Sequence, residues 1–484
     1  MPDIAVAEIP VDEAERPLPP PEPAARNALL DGPILRTLLW LAWPNVIALS
    51  ASTCVVIAET SYIGRLGVES LAAMALVFPC VILTMTMSGG AMGGGVASAI
   101  ARAIGTGDID RASALAAHAL LIAICFGLCF TFGMLVFGPA LLELLGGRGH
   151  VLAQAIAYVQ IFFGGAVLPW LMNTLAAVLR GTGNMKVPSL MILSSAICQI
   201  VLGGTLGLGL GPVPQFGMRG VAAGSLIAYS ISISVMAWYL FSGRARLVPK
   251  IRGLRIRRAM FVDILKVGIV SCLSPLQSVL TISIFTHLLA GFGAAVLAGY
   301  GIGARLEFML TSVAFAFGIA SVPMIGMAIG AQRIARARRI AWIAGLLSFA
   351  SVGLIGTVIA IFPDLWVNLF THDAGVRAAS HTYLSTAAPM YAFIGLASSM
   401  YFSSQGAAKV LGPVLAQTAR LLFIGLGGWW LSTHDASAAN FYALAAASMA
   451  VLGLLSSASV ILTRWGPDAS RLPDVRPGLS GAVD

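Results

Sequence analysis

Apolar residues in this 484-residue chain run in long, nearly unbroken stretches. A helix crossing a bilayer needs roughly 20 such residues. Twelve stretches qualify: 38–58, 71–100, 115–137, 153–179, 187–210 and 221–241, then 267–289, 296–328, 340–361, 382–402, 410–431 and 441–463. Between the sixth and seventh lies the most basic part of the chain, residues 242–266, with seven Lys or Arg from Arg244 to Arg258. A strip so charged cannot lie in a bilayer. It reads as a linker between two apolar blocks of six spans each.

The two blocks are related. Gly67-Val68-Glu69-Ser70-Leu71-Ala72 aligns with Gly293-Ala294-Ala295-Val296-Leu297-Ala298, an offset of 226. Ile104-Gly105, Ile109 and Arg111 align with Ile329-Gly330, Ile334 and Arg336 at 225. Gly183 and Lys186 align with Gly406 and Lys409 at 223. Matches in one order at nearly one spacing indicate a duplicated unit. The predicted fold class is an all-α polytopic membrane protein, with twelve transmembrane helices in two six-helix lobes related by pseudo-two-fold symmetry. An even number of spans per repeat makes the repeats parallel, with a substrate path between them.

The expected organisation follows. Residues 1–33, rich in Pro, Ala and acid, form a tail predicted to be disordered. The first lobe covers 34–242, the linker 243–262, the second lobe 263–464 and a C-terminal tail 465–484. Placing the N-terminus in the cytoplasm puts Arg102, Arg111, Arg180, Lys186, the linker, Arg333, Arg336 and Lys409 on that side. Arg65, Arg148, Arg219 and Arg377 fall on the other. The excess of cations predicts both termini inside a cytoplasmic membrane.

Composition agrees: 58% hydrophobic, 10% charged, mean hydropathy +0.90. Soluble domains carry about 25% charge. The net charge of +9 would suggest nucleic acid in a soluble protein. Here the cations flank spans, so no nucleic-acid partner is expected. Six cysteines all lie in apolar stretches and read as packing residues. No Walker A pattern occurs, so the chain carries no sign of ATP coupling.

Charges inside spans are costly and therefore informative. Glu59 ends the first span, one to two turns below Arg65. It reads either as a carboxylate for a coupling proton or cation, or as an interfacial residue reaching the outer surface. Arg305 and Glu307 lie in the eighth span and Arg420 in the eleventh. Residues at i and i+2 point to different sides of a helix, so Arg420 is the natural partner of the pair's members. The trio forms either a polar substrate site in the second lobe or a structural ion pair. Pro44 is a weak point in the first helix and a candidate hinge. His118 and His287 each stand alone on a helix and read as packed, neutral side chains. The run Gly89-Gly90 and Gly93-Gly94-Gly95 lets helices approach closely or bend.

The chain resembles the multidrug and toxic compound extrusion (MATE) family over roughly residues 34–464. The resemblance rests on Leu41-Ala42-Trp43-Pro44, Glu59-Thr60-Ser61-Tyr62-Ile63-Gly64-Arg65-Leu66-Gly67, Ala103-Ile104-Gly105-Thr106-Gly107-Asp108, Leu179-Arg180-Gly181-Thr182-Gly183-Asn184 and Gly217-Met218-Arg219-Gly220-Val221. It implies an antiporter that exports organic, often cationic, compounds against inward proton or sodium flow. The lipid bilayer and a small organic substrate are then the partners; a monomer and no cofactor beyond the coupling ion are expected. At the position of Glu59 the family places an Asp, so the resemblance favours the coupling role. Many members also carry an Asn and an Asp four apart in the fifth helix, where this chain has Gln199 and Gly203. Gln199 remains a candidate coupling-ion residue. The missing second acid weakens a multi-carboxylate sodium site. The alternative is a lipid-linked oligosaccharide flippase of the same wider superfamily. Its diphosphate substrate would call for several inward-facing cations, and only Arg305 and Arg420 lie mid-span. No HExxH or GxSxG pattern suggests an intramembrane enzyme.

Overall fold

A computed structural model describes residues 28–249 and 255–466. Residues 1–27 and 467–484 of the expected tails, and linker residues 250–254, lie outside the described residues; within the tail expected to be disordered over 1–33, Ala28–Asp31 form a helical turn. Twelve helical columns follow one another in two sets of six. In the first lobe these are α1 (Ile34–Leu66), α2 (Val68–Gly105), α3 (Ile109–Leu144), α4 (Gly149–Gly164 continuing as Val167–Gly181), α5 (Lys186–Leu208) and α6 (Gly217–Phe241). The second lobe holds α7 (Arg258–Ala290), α8 (Ala294–Gly330), α9 (Ile334–Ile361), α10 (Ala374–Ala387 continuing as Tyr391–Gly406), α11 (Leu411–Thr433) and α12 (Ala438–Leu462). Helix α7 is already under way at Arg258, inside the stretch expected to be linker.

Among the described residues, ten helices are long and apolar enough to cross a membrane, and α4 makes an eleventh if its halves count as one. Column α4 was expected to be a single span but bends by 47° between Gly164 and Val167. The pair Gly164-Gly165 at the break supplies the flexibility for a kink. Column α10 was expected over 382–402. It is longer and is broken by a short 3-10 turn, Ala388–Met390, around Pro389, which has no N–H to donate. Within α2, residues Thr86–Met92 form a π-helix, whereas its counterpart α8 is α-helical throughout.

Large apolar side chains such as Phe132, Leu354 and Leu426 stand exposed around the bundle. So much exposed apolar surface fits contact with lipid rather than water. Inside, one buried cluster fills the first lobe around Trp170, which stacks on Phe126 at 5.2 Å. A second fills the other lobe around Tyr383, Tyr391 and Tyr442. A third joins the lobes at the end bearing the termini, through Leu38, Leu41, Ala101, Met324 and Met327.

At that end α2 and α8 cross almost backbone to backbone. A side chain on Gly105 would strike the Met327 carbonyl, and one on Gly330 would strike the Arg102 carbonyl. The two collisions are related by the offset of 225 seen in the sequence, so the crossing lies on the pseudo-two-fold axis. Only glycine at both positions allows the lobes to close this tightly.

Candidate functional site

Glu59 lies two turns from the end of α1 and is 9% exposed. Ser225 of α6 donates a hydrogen bond to its Oε1 at 3.4 Å while also donating to the Val221 carbonyl. Three tyrosines are buried in the same first-lobe core: Tyr62 one turn further along α1, Tyr158 of α4 and Tyr229 of α6. Among the described residues, no Lys or Arg forms an ion pair with Glu59. A buried carboxylate with one long hydrogen bond and no counter-ion is a costly arrangement.

Gln199 does not touch Glu59 directly. Its Oε1 accepts from the Tyr229 hydroxyl at 3.3 Å, and its Nε2 donates to Ser195 at 3.2 Å. It therefore stands apart from the carboxylate, holding the Tyr229 phenol of α6. Gly203, where a second acid was sought, lies under the Tyr62 ring. A Cβ there would come 2.6 Å from the Tyr62 hydroxyl, which is buried and has no hydrogen-bond partner among the described residues. The phenol thus takes the space that a second carboxylate would need.

Pro44 sits in the half of α1 nearer the termini. Next to it, Asn45 donates to the Leu41 carbonyl at 3.1 Å and accepts from Ser189 of α5 at 3.0 Å. These bonds brace the helix where proline removes a ladder bond.

In the second lobe, Arg420 approaches Glu307 at 3.8 Å, with the two side chains 13% and 21% exposed. Arg420 also donates to Ser448 at 3.4 Å. Arg305 does not join them, contrary to the grouping of all three as one site. It is exposed, with its guanidinium 5.3 Å above the Phe370 ring. The i, i+2 spacing sends Arg305 and Glu307 to different sides, and only Glu307 faces α11. Phe285, aligned with Glu59, is buried against Tyr300. The lobes are therefore chemically unequal.

His118 is fully buried, bonding the Ala114 carbonyl through Nδ1 at 2.7 Å. Its Nε2 accepts from the backbone N–H of Arg257 at 3.2 Å, so the neutral Nδ1–H tautomer satisfies both contacts. Sequence reasoning missed Ser225 and the three tyrosines. A shared helical face offered a signal for Tyr62, three residues beyond Glu59. The others come together only in the folded chain.

Comparison with known proteins places this architecture. The MatE family model matches twice, over residues 44–205 and 267–429, one match per lobe. The FAD transporter of Shewanella oneidensis is 27% identical over 375 residues, covering 77% of this chain and 82% of that protein. A probable multidrug resistance protein NorM of Deinococcus radiodurans is 28% identical over 413 residues, covering 81% and 87%. Among solved structures, the Vibrio cholerae MATE transporter VcmN in its bent form superposes with a TM-score of 0.80 at 22% identity, covering 88% of this chain and 96% of that one. A MOP superfamily transporter from Pyrococcus furiosus gives 0.80 at 22%, covering 90% and 95%. The duplicated unit visible in the sequence is the unit that the family model recognises in each half, and the chain belongs to the MatE family, the multidrug and toxic compound extrusion transporters.

Proposed function

We propose that this protein is an ion-driven antiporter that exports organic compounds, with Glu59 as its coupling carboxylate and both termini in the cytoplasm. The observation that carries the reading is Glu59 itself, buried in the first lobe beside Ser225, with no Lys or Arg ion pair among the described residues. Such a carboxylate is a place for a proton or a small cation. Binding there removes an uncompensated charge and so favours whichever arrangement of α1 and α6 leaves it most enclosed. Antiport requires the ion and the substrate to favour different states of the lobes, since a ligand of equal affinity for both shifts nothing. Gln199, through Tyr229, sets the phenol that reports the change to α5. A single carboxylate with Gly203 in place of a second acid supports proton coupling over sodium, which takes several oxygen ligands.

The test is gradient-driven transport of an organic cation dye in proteoliposomes. Glu59→Gln is expected to insert and fold yet lose uphill transport, and Glu59→Asp to retain part of it. Wild-type rates for Glu59→Gln under a proton gradient would overturn the assignment. A sodium gradient in place of protons should leave the wild type idle.

The relative named as an FAD transporter supports a second substrate class, an anionic flavin nucleotide. Competition between dye and FAD in the same vesicles separates the two: uptake of FAD unaffected by excess dye selects the nucleotide.

A further inference from the structure

At the end bearing the termini, each lobe holds the chain where it enters the other lobe. Asp263 lies in the first turns of α7, the opening helix of the second lobe. Its Oδ1 meets Arg102 of α2 at 3.0 Å, and its Oδ2 meets Arg111 of α3 at 3.0 Å. Lys266 of its own helix adds a contact at 2.7 Å. Arg102 also donates to the Ser98 hydroxyl, which reaches across to the carbonyls of Gln405 and Gly406 in α10.

The other half of the arrangement holds the segment just before α1. Arg333 meets the Asp31 carboxylate at 2.7 Å and the Leu30 carbonyl at 2.9 Å. Arg336, opening α9, donates to the Gly32 carbonyl at 2.6 Å and the Leu29 carbonyl at 3.3 Å. Arg336 stands to Arg111 at the repeat offset of 225, so the same position in each lobe reaches over to the other lobe's entry. Both holds flank the Gly105–Gly330 crossing. Among the described residues, no cross-lobe hydrogen bond or ion pair lies nearer the opposite end than the contact of Cys272 with the Met87 carbonyl. The lobes are fastened at one end only.

We propose that Asp263 and Asp31 are the gating residues of this protein, the anchors of two clasps, one at each lobe's entry, that together hold the lobes closed at the termini end. The two are unequal. The Asp263 side chain is 11% exposed and gathers three cations, two of them from the other lobe, whereas the Asp31 side chain is 42% exposed. Exposed pairs are screened by water and contribute little; enclosed ones hold firmly or leave a stranded charge when broken. The Asp263 clasp therefore sets how far the closed arrangement is favoured, and the Asp31 clasp trims it. Both act as positioning residues, remote from Glu59.

The inference rests on the alternating-lobe reading, but its test needs neither substrate nor gradient. Spin labels go on the full chain in nanodiscs, in a background with the six native cysteines replaced. One pair, Ile109→Cys with Ala335→Cys, reports the termini end; Leu144→Cys with Leu369→Cys reports the opposite end. Pulsed distance measurement on the unmodified clasps should give one short population at the termini end. Asp263→Asn is expected to move more than half of it to longer distance, with a matching shortening at the opposite end. Asp31→Asn should give a smaller shift, and the exchange Asp31→Arg with Arg333→Asp should restore the original distribution. Should Asp263→Asn fail to fold, Arg111→Gln, whose side chain is 46% exposed, replaces it with the same expected direction. Unchanged distances would overturn the proposal. So would lengthening at the termini end without shortening at the other, because that is loosening rather than a gate. A distance shift in a protein that transports neither dye nor FAD would leave the clasps standing and remove only the function proposed above.

Discussion

The Glu307–Arg420 pair allows a quantitative test of the second lobe. At 3.8 Å and an effective dielectric constant of about 20, two unit charges attract by about 4 kcal/mol. Desolvation of both offsets much of this, so the pair need not stabilise the fold relative to apolar residues. Removing one partner is different. Arg420→Ala leaves the largely buried Glu307 carboxylate without its ion-pair partner, and should cost about 3–5 kcal/mol. Glu307→Ala leaves Arg420 with its long bond to Ser448 alone, and should cost somewhat less. In the double variant no charge is stranded. Its loss should fall short of the sum of the single losses by about 2 kcal/mol or more. The assay is thermal unfolding of detergent-purified protein, followed by fluorescence-detected size exclusion, for all four members of the cycle. Losses that add within about 0.5 kcal/mol would show that the two side chains do not interact, as expected only of independent sites.

Three further outcomes are expected. Gly330→Val places a side chain against the Arg102 carbonyl and should lower stability by about 1–3 kcal/mol, read as a fall in melting temperature. Trp170→Ala empties the space beside Phe126 and Phe130 in the first lobe and should cost about 3–5 kcal/mol in the same assay. A single cysteine at Lys250 should resist impermeant maleimide in intact cells and react after permeabilisation; ready labelling from outside would invert the proposed orientation.

The broad fold was legible because lipid imposes a simple code. Unbroken apolar runs marked the columns, and the duplication gave the two lobes. Interruptions were less legible: the 47° bend at Gly164-Gly165 and the 3-10 turn at Pro389 leave hydropathy almost unchanged. Glu59 stood out because a carboxylate in a span is rare on energetic grounds. Its surroundings did not stand out. Tyrosine is amphipathic and common on helices, and nothing local distinguishes Tyr158 or Tyr229 from packing residues. Asp263 was obscured by its setting: an acid among seven nearby cations reads as part of a solvated strip, although in the fold it anchors α7 to the other lobe. The spacing of Arg305 and Glu307 showed that they diverge, but which one faces Arg420 depended on the rotation of α8, set by packing far from either residue.

The π-helix of α2 also bears on the ancestry of the chain. The repeat offset is 226 at Gly67 and 225 at Ile104, so this stretch of the first lobe holds one residue more than its counterpart. Between those two points, at Thr86–Met92, the backbone closes its hydrogen bonds over five residues instead of four, which accommodates one surplus residue in a helix without breaking it. A one-residue difference in length between the two copies, arising after the duplication, accounts for both observations. Downstream of this stretch, side chains regain the phase they have in α8, which keeps Gly105 opposite Gly330 and Arg102 within reach of Asp263. Within the same stretch the Gly90 carbonyl accepts a bond from Gln405 of the other lobe at 3.0 Å. One extra residue thus made two copies of one unit unlike each other at their shared seam without disturbing the crossing that joins them.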